Sequence, residues 1–137
     1  MSELTIDLDN VETIKDIPTG WYAGVIADTV VGKSKSEEPK PFAKFRFRAQ
    51  EPLNDQDLTG VELNRMIDST DQWLSPKALP VFKKRMTDAG FEPSGDLSAW
   101  LKSLHLQPVH FRVDYDSYTN KAGQKIDRLR VVDFKAA

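Results

Sequence analysis

Residues 42–50, FAKFRFRAQ, are the stretch that decides the fold of this 137-residue chain. Apolar and charged residues alternate there with a period of two, which is typical of a half-buried β-strand. One side of the strand is apolar and consists of Ala43, Phe45, Phe47 and Ala49. The other side carries one ring and three cations, namely Phe42, Lys44, Arg46 and Arg48. The stretch therefore predicts a strand with a core-facing apolar side and a basic outer side.

Strand patterns also precede and follow this segment. Residues 21–31 (WYAGVIADTVV) predict a long strand with a bulge or bend at Gly24. Trp21 and Tyr22 must then point to opposite sides, and alternation alone does not say which of them faces the core. Residues 61–68 predict a third strand, in which Arg65 shares a face with the apolar side chains. Residues 109–115 and 125–134 predict two closing strands, joined by a turn at 119–124.

Helical signals lie between the third strand and the closing pair. Ser75 is a suitable N-cap with Pro76 at the first helical position, and Gly90 suits the position after the helix end. Asp96 predicts the N-cap of a second, short helix. This order predicts a mainly β fold with inserted helices (α+β): a five-stranded OB-fold barrel, with a helix or helix pair between strands 3 and 4. An unrelated α+β sheet with the same element order is the alternative.

A length of 137 residues predicts one domain, and a hydrophobic fraction of 39% is enough for that domain to bury a core. The absence of cysteine excludes disulfides, cysteine-bound zinc and a thiol nucleophile. No apolar run reaches the length of about 20 residues that spans a bilayer, and residues 1–10 lack the features of a signal peptide. We therefore expect a cytoplasmic protein without membrane contact.

The charge is small overall and unevenly distributed. The net charge is −2, yet residues 1–18 hold five acidic side chains and one lysine, so the remainder is slightly basic. Residues 1–17 are predicted to be a flexible acidic arm, and residues 18–137 the folded domain. A basic binding face can therefore exist within the domain although the whole chain is not basic.

The outer strand faces carry the functional signal. Cations on neighbouring strands repel one another unless an anion neutralises them, and a phosphate backbone is a common partner of this kind. Rings among the cations favour single-stranded nucleic acid, because unpaired bases stack on them. The candidate binding residues are Lys33, Lys35, Phe42, Lys44, Arg46, Arg48, Trp73, Arg112, Tyr118, Lys121, Arg128 and Arg130. The competing explanation is an ordinary solvated face, in which charges also protect strand edges from aggregation.

Several segments together resemble small single-stranded-DNA-binding proteins of bacteriophages. They are PTGWYAGVIADTVVGKSK at 18–35, the strand at 42–50, SPKALPVFKKRMTDAGF at 75–91, and the final hairpin VHFRVDY…KIDRLRVVDF. The resemblance implies sequence-independent binding of single-stranded DNA during phage replication or recombination, in the cytoplasm of the host. It also implies replication or recombination proteins as partners, and it leaves homodimerisation undecided. The chain ends in DFKAA, whereas many bacterial proteins of this kind end in an acidic tail.

No motif predicts an enzyme, a cofactor or a metal site. Gly32-Lys33-Ser34 lacks the earlier glycine of a phosphate-binding loop, because Ala27 stands there. Asp114-x-Asp116 begins like a calcium loop but does not continue as one. The two histidines show no spacing that suits a shared metal or a nucleophile. The alternatives to DNA binding are a protein-interaction or virion-structural module with an OB-like barrel, and then a metal-dependent nuclease.

Overall fold

Two long β-hairpins supply most of the structure. The computed structural model describes residues 8–10, 15–35 and 37–137. Strands in these ranges are β1 (Gly20–Lys33), β2 (Pro41–Pro52), β3 (Met66–Asp68), β4 (Gln72–Trp73), β5 (Pro108–Thr119) and β6 (Lys125–Ala136). The helices are a 3₁₀ turn (Leu8–Asn10), α1 (Leu79–Asp88) and α2 (Leu97–Ser103). The predicted strands at 21–31, 42–50, 109–115 and 125–134 are confirmed, and each is longer than predicted.

The strands form one curled antiparallel sheet. Their order is β3–β2–β1–β5–β6, and β4 pairs with β2 beyond the end of β3. The sheet curls until its outer strands β3 and β6 contact each other. At this contact Ser69 forms a parallel bridge with Val131, whose carbonyl accepts a hydrogen bond from the amide of Thr70 (3.2 Å). The result is a mainly β half-barrel with two helices, so the predicted α+β class is confirmed.

A bulge at Gly24 bends β1. The register between β1 and β2 shifts between Ala23 and Gly24, as the sequence predicted. A Cβ atom on Gly24 would stand 1.9 Å from the carbonyl oxygen of Arg48, which leaves no room for any side chain. The bend coincides with the part of β1 that pairs with β5 on one side and β2 on the other. It therefore helps the sheet to curl.

The core lies inside the curl. The apolar side of β2 is buried as predicted, and it meets inward side chains from β1, β5 and β6. Phe47 is at the centre, with its ring centroid 5.0 Å from that of Phe111 and 5.3 Å from that of Phe134. The principal contributors are Tyr22, Ile26, Phe45, Phe47, Val109, Phe111, Val113, Val131 and Phe134.

Tyr22 faces the core and Trp21 faces outward. The hydroxyl of Tyr22 donates a hydrogen bond to the carbonyl of Pro18 (2.6 Å), and the residue has no exposed surface. Burial raises the pKa of Tyr22 above its ordinary value, because a phenolate would lose its hydration. Trp21 is partly exposed, and the ammonium group of Lys135 lies 5.2 Å from its ring centroid.

Both helices contribute to the same core, through Phe82 and Met86 of α1 and Trp100 and Leu101 of α2. The prediction of Asp96 as an N-cap is confirmed, since its carboxylate accepts a hydrogen bond from the amide of Ala99 (3.1 Å).

The predicted start of the first helix is wrong. Ser75 and Pro76 belong to a preceding turn, and α1 begins at Leu79 after the N-cap Ala78. Pro80 explains the shift. It lacks an amide hydrogen and is tolerated only in the first helical turn, which a start at Pro76 would not allow.

The third predicted strand is also shorter than expected. Of residues 61–68, only Met66–Asp68 form β3. Val61 forms an isolated bridge with Lys15, and the chain turns at 63–64 before it enters β3. The turn takes residues 61–65 out of the sheet, so the apolar alternation there does not produce a strand. The sequence did not predict β4, since two residues are too short to show a period.

Residues 15–17 pack against the domain. The amide of Lys15 donates to the carbonyl of Gly60 (3.3 Å), and Ile17 is buried in the core. Residues 1–7 and 11–14 of the predicted arm lie outside the described residues. No helix in the described part of the chain is long and apolar enough to cross a membrane.

Candidate nucleic-acid interface

The outer face of β2 presents Phe42, Lys44, Arg46 and Arg48, as the sequence predicted. These side chains alternate with the four buried ones, and each is partly exposed. On the flanking strands Arg48 is in register with Val25 and Met66, and Arg46 with Asp28 and Asp68. The face is therefore one row of side chains at the centre of a three-strand surface.

An aromatic pair lies at the start of this row. Phe42 and Trp73 are in register across β2 and β4, with ring centroids 5.7 Å apart in an edge-to-face arrangement. The ring of Phe42 also covers Gly32, where an added Cβ would stand 3.0 Å from it. Trp73 is 43% exposed, and the ammonium group of Lys44 lies 5.9 Å from the Phe42 ring centroid. Two rings and a cation thus meet beside loop 34–40.

Carboxylates accompany the cations of this face. Lys44 lies 3.6 Å from a carboxylate oxygen of Asp71, and Arg46 lies 3.5 Å from one of Asp68. The sequence pattern predicted cations that repel one another until a phosphate neutralises them. That prediction is wrong for Lys44 and Arg46, because acidic residues on the neighbouring chain segments already balance them.

The outer face of the β5–β6 hairpin also places carboxylates beside its cations. Three register pairs combine opposite charges, and we call them the charge ladder: Arg112–Asp133, Asp114–Arg130 and Asp116–Arg128. Arg112 forms its ion pair along its own strand, 3.1 Å from Asp114, and Arg128 pairs across to Asp116 at 3.7 Å. The guanidinium of Arg128 also lies 4.5 Å from the ring centroid of Tyr118. Arg112 and Arg128 are therefore balanced by carboxylates as well.

These ion pairs are weak enough to be exchanged. Each partner side chain is between 26% and 49% exposed. Solvent-exposed pairs contribute about 0–1 kcal/mol and are screened by salt. A phosphate can therefore replace a carboxylate at such a cation, although the balanced face attracts a polyanion less strongly than a bare one.

Other candidate cations carry no such partner. Among the described residues, five of the predicted cations form no ion pair: Lys33, Lys35, Arg48, Lys121 and Arg130. Lys33 and Lys35 are exposed beside the loop that joins β1 to β2, close to the aromatic pair in the chain. Lys121 is exposed in the turn between β5 and β6. The uncompensated positive charge is thus found mainly at the loops and at Arg48 and Arg130.

The predicted residues form separate groups on the outer surface. One group surrounds the aromatic pair beside the β1–β2 loop. A second follows β6 with Arg128 and Arg130, next to Tyr118 and the β5–β6 turn. Arg112 is distant from Arg46: it is in register with Trp21, whereas Arg46 is in register with Asp28, seven residues further along β1. At about 3.3 Å per residue this separates Arg46 from Arg112 by about 23 Å along the strand.

A cleft between β3 and β6, here called the seam cleft, includes Arg128 and Arg130 of the second group. It has a volume of about 360 Å³, and Arg65, Asp16 and Asp68 also line it. The sequence did not single out Arg65, because it was assigned to a strand face with apolar neighbours. The acidic partners were also missed, although Asp114 and Asp116 alternate with Arg112 along one strand.

His105 contacts the backbone of β1. Nδ1 of His105 lies 3.0 Å from the carbonyl oxygen of Ala27 in an exposed position. In the part of the chain that the structure describes, no three histidine, aspartate or glutamate side chains are grouped so that they could hold a metal ion.

No protein-family model matches the chain, and a search of curated proteins returns no significant match.

Proposed function

We propose that this chain is a non-enzymatic OB-fold protein that binds single-stranded DNA with little sequence preference. The strand order supports the fold: β1 pairs with both β2 and β5, the helices follow β3, and β3 meets β6 in a parallel bridge. Counting the short β4 as an addition at the edge of β2, the other five strands have the order expected of a small Greek-key barrel.

The aromatic pair is the observation that carries the proposal. Phe42 and Trp73 are distant in sequence, yet they meet on the outer face of β2 with Lys44 beside them. In OB-folds this face and the loops around it bind nucleic acids. Stacking of a base on an exposed ring contributes about 1–3 kcal/mol and tolerates any base, which accounts for binding without sequence preference.

The phosphates would follow the cations of this face. Arg48 and the lysines of the β1–β2 loop would bind them directly, whereas Lys44 and Arg46 would first exchange their carboxylate partners. Each exchange reduces the net gain, so the affinity should be moderate and fall with salt. A role in phage DNA replication or recombination in the host cytoplasm, together with partner proteins, belongs to this proposal and rests on the sequence resemblance.

A salt-varied titration tests the proposal. Fluorescence-labelled oligo(dT) and a duplex of equal length are titrated with the protein at several salt concentrations. We expect the single strand to bind more tightly than the duplex, with log K falling linearly as log salt rises. Equal binding of both forms, no binding, or a salt-independent constant would contradict the proposal. Loss of the oligonucleotide itself in the presence of magnesium would instead indicate a nuclease.

The charge ladder favours a second candidate, a protein-interaction module. Alternating charges on the β5–β6 hairpin suit a protein surface of complementary alternation better than a uniformly negative polymer. If this candidate is correct, oligo(dT) will not bind even at low salt. A variant in which Arg112 and Asp114 are both neutralised will then give the same titration curve as the wild type.

A further inference from the structure

The seam cleft combines a charged rim with an apolar floor. Arg65 stands on the β3 side, and Arg128 and Arg130 stand on β6. Three aliphatic residues from three chain segments line the cleft as well, and because Ile17 and Ile67 are buried and Leu129 packs against the core, we call them its floor. A volume of about 360 Å³ is at the small end of the range of ligand sites, which begins at about 300 Å³.

The positive charge of Arg130 is not balanced by the acidic residues of the rim. Asp68 is paired with Arg46 at 3.5 Å, and Asp16 with Arg65 at 4.0 Å. Arg130 has no carboxylate within ion-pair distance among the described residues, and its Nη1 donates only to the carbonyl of Leu129 (3.1 Å). One positive charge on the rim is therefore left over for a ligand.

The guanidinium groups also have unused hydrogen-bond donors. Of the arginines that line the cleft, Arg128 and Arg130 have covered Nε atoms without a hydrogen-bond acceptor among the described residues. A covered donor without an acceptor is unfavourable, because it has lost its hydration without gaining a partner. An anion with several oxygens relieves this, since a small rotation of the side chain lets the fork of an arginine donate twice.

We propose that the seam cleft binds one nucleotide unit, with its base on the apolar floor and its phosphate on Arg130. A phosphate monoester has enough oxygens to accept hydrogen bonds from both walls of the cleft, from Arg65 and from the β6 arginines. The flat base suits the aliphatic floor and the guanidinium plane of Arg128, which Tyr118 already holds in place by stacking. The place of this site in strand binding rests on the proposed function, whereas a free nucleoside monophosphate would occupy it regardless.

The site is tested by titrating the ¹⁵N-labelled full chain with dTMP and recording two-dimensional NMR spectra at each step. We expect shifts at residues 65–68 and 128–130, with dTMP binding about tenfold or more tightly than thymidine or inorganic phosphate alone. Arg130→Gln should weaken dTMP binding about tenfold or more, and Arg130→Lys should recover part of it. Shifts confined to other residues, or unchanged binding in a folded Arg130→Gln variant, would overturn the inference. If that variant does not fold, Arg65→Gln at the exposed end of the rim takes its place.

Arg48→Gln is the matched control, because Arg48 is an arginine of the outer face that does not line the cleft. It should leave dTMP binding unchanged and weaken oligo(dT) binding. If dTMP enters the cleft but oligo(dT) does not bind, the proposed function fails and the nucleotide site stands. If oligo(dT) binding depends on Arg48 while dTMP never shifts the cleft residues, the nucleotide site fails and the proposed function stands.

Discussion

Gly24 of β1 lies so close to Arg48 of β2 that a Cβ atom would stand 1.9 Å from the Arg48 carbonyl oxygen. The contact is between two backbones, so neither partner can give way by a side-chain rotation. It occurs at the bulge that bends β1, and the same arginine belongs to the outer face of β2. The curl of the sheet and the placement of that face therefore depend on a glycine at this position.

The first prediction concerns this contact. Gly24→Ala should lower the free energy of unfolding by about 3 kcal/mol, because the added methyl group meets backbone that cannot move. Gly32→Ala is the control on the same strand. There the nearest atom, 3.0 Å from the added Cβ, belongs to the Phe42 ring, which can shift, so the loss should be smaller. Urea unfolding of both variants measures the difference. Equal free energies of unfolding in the two variants would show that the strands can move apart at Gly24 with little loss of stability.

The second prediction concerns the aromatic pair. Trp73→Ala should weaken oligo(dT) binding about tenfold, which corresponds to one lost stacking interaction. The fold should persist, because Trp73 is one of the exposed residues and β4 is held by backbone pairing. Leu106→Ala, an exposed apolar residue outside the proposed face, should bind as the wild type does. The same loss in both variants would mean that the ring of Trp73 has no special role.

The third prediction concerns the carboxylates beside the cations. Asp68→Asn and Asp71→Asn free Arg46 and Lys44 from their ion pairs, so both should tighten oligo(dT) binding severalfold at low salt. The slope of log K against log salt should steepen by up to about 0.7 for each additional phosphate contact. Asp88→Asn on α1, whose partner is Lys84, should change neither quantity. An unchanged slope in all three variants would show that phosphates do not reach Lys44 or Arg46.

The fourth prediction concerns the dependence of stability on pH. Burial raises the pKa of Tyr22 in the folded state. The contribution of neutral Tyr22 to the free energy of unfolding is therefore complete below the pKa of tyrosine in the unfolded chain, about 10. It decreases as the pH rises from there through the pKa of Tyr22 in the folded state. Tyr22→Phe should lose about 1 kcal/mol at neutral pH with the hydrogen bond to Pro18. It should also show a weaker decline of stability in alkaline solution.

Urea unfolding of the wild type and Tyr22→Phe at about pH 8 and about pH 11 measures this effect. Tyr115 and Tyr118 are exposed in both proteins and provide the common background. A parallel decline in both proteins would show that the Tyr22 hydroxyl does not couple folding to pH.

Local pattern was sufficient to predict the long strands and their buried sides. The alternation in 42–50 assigned Phe45 and Phe47 to the core correctly, and the glycine within 21–31 predicted the bulge or bend at Gly24. The failures occurred where one local signal competed with another, or with a contact to a distant segment. Pro80 is tolerated only in the first helical turn, so α1 starts at Leu79 although Ser75 and Pro76 also suit a helix start. The turn at 63–64 and the bridge of Val61 to Lys15 take residues 61–65 out of β3, and periodicity does not report a contact with a distant segment.

The sequence by itself determined which residues are polar on the outer faces, because a period of two places alternate side chains on opposite sides of a strand. Only the tertiary structure decided which of them are neighbours. The register of β4 on β2 brings Trp73 to Phe42, and the register of β3 on β2 brings Asp68 to Arg46. The curl that joins β3 to β6 creates the seam cleft around Arg130. These are contacts between distant chain segments, and they follow from bulges, turns and closure of the sheet, which periodicity does not encode.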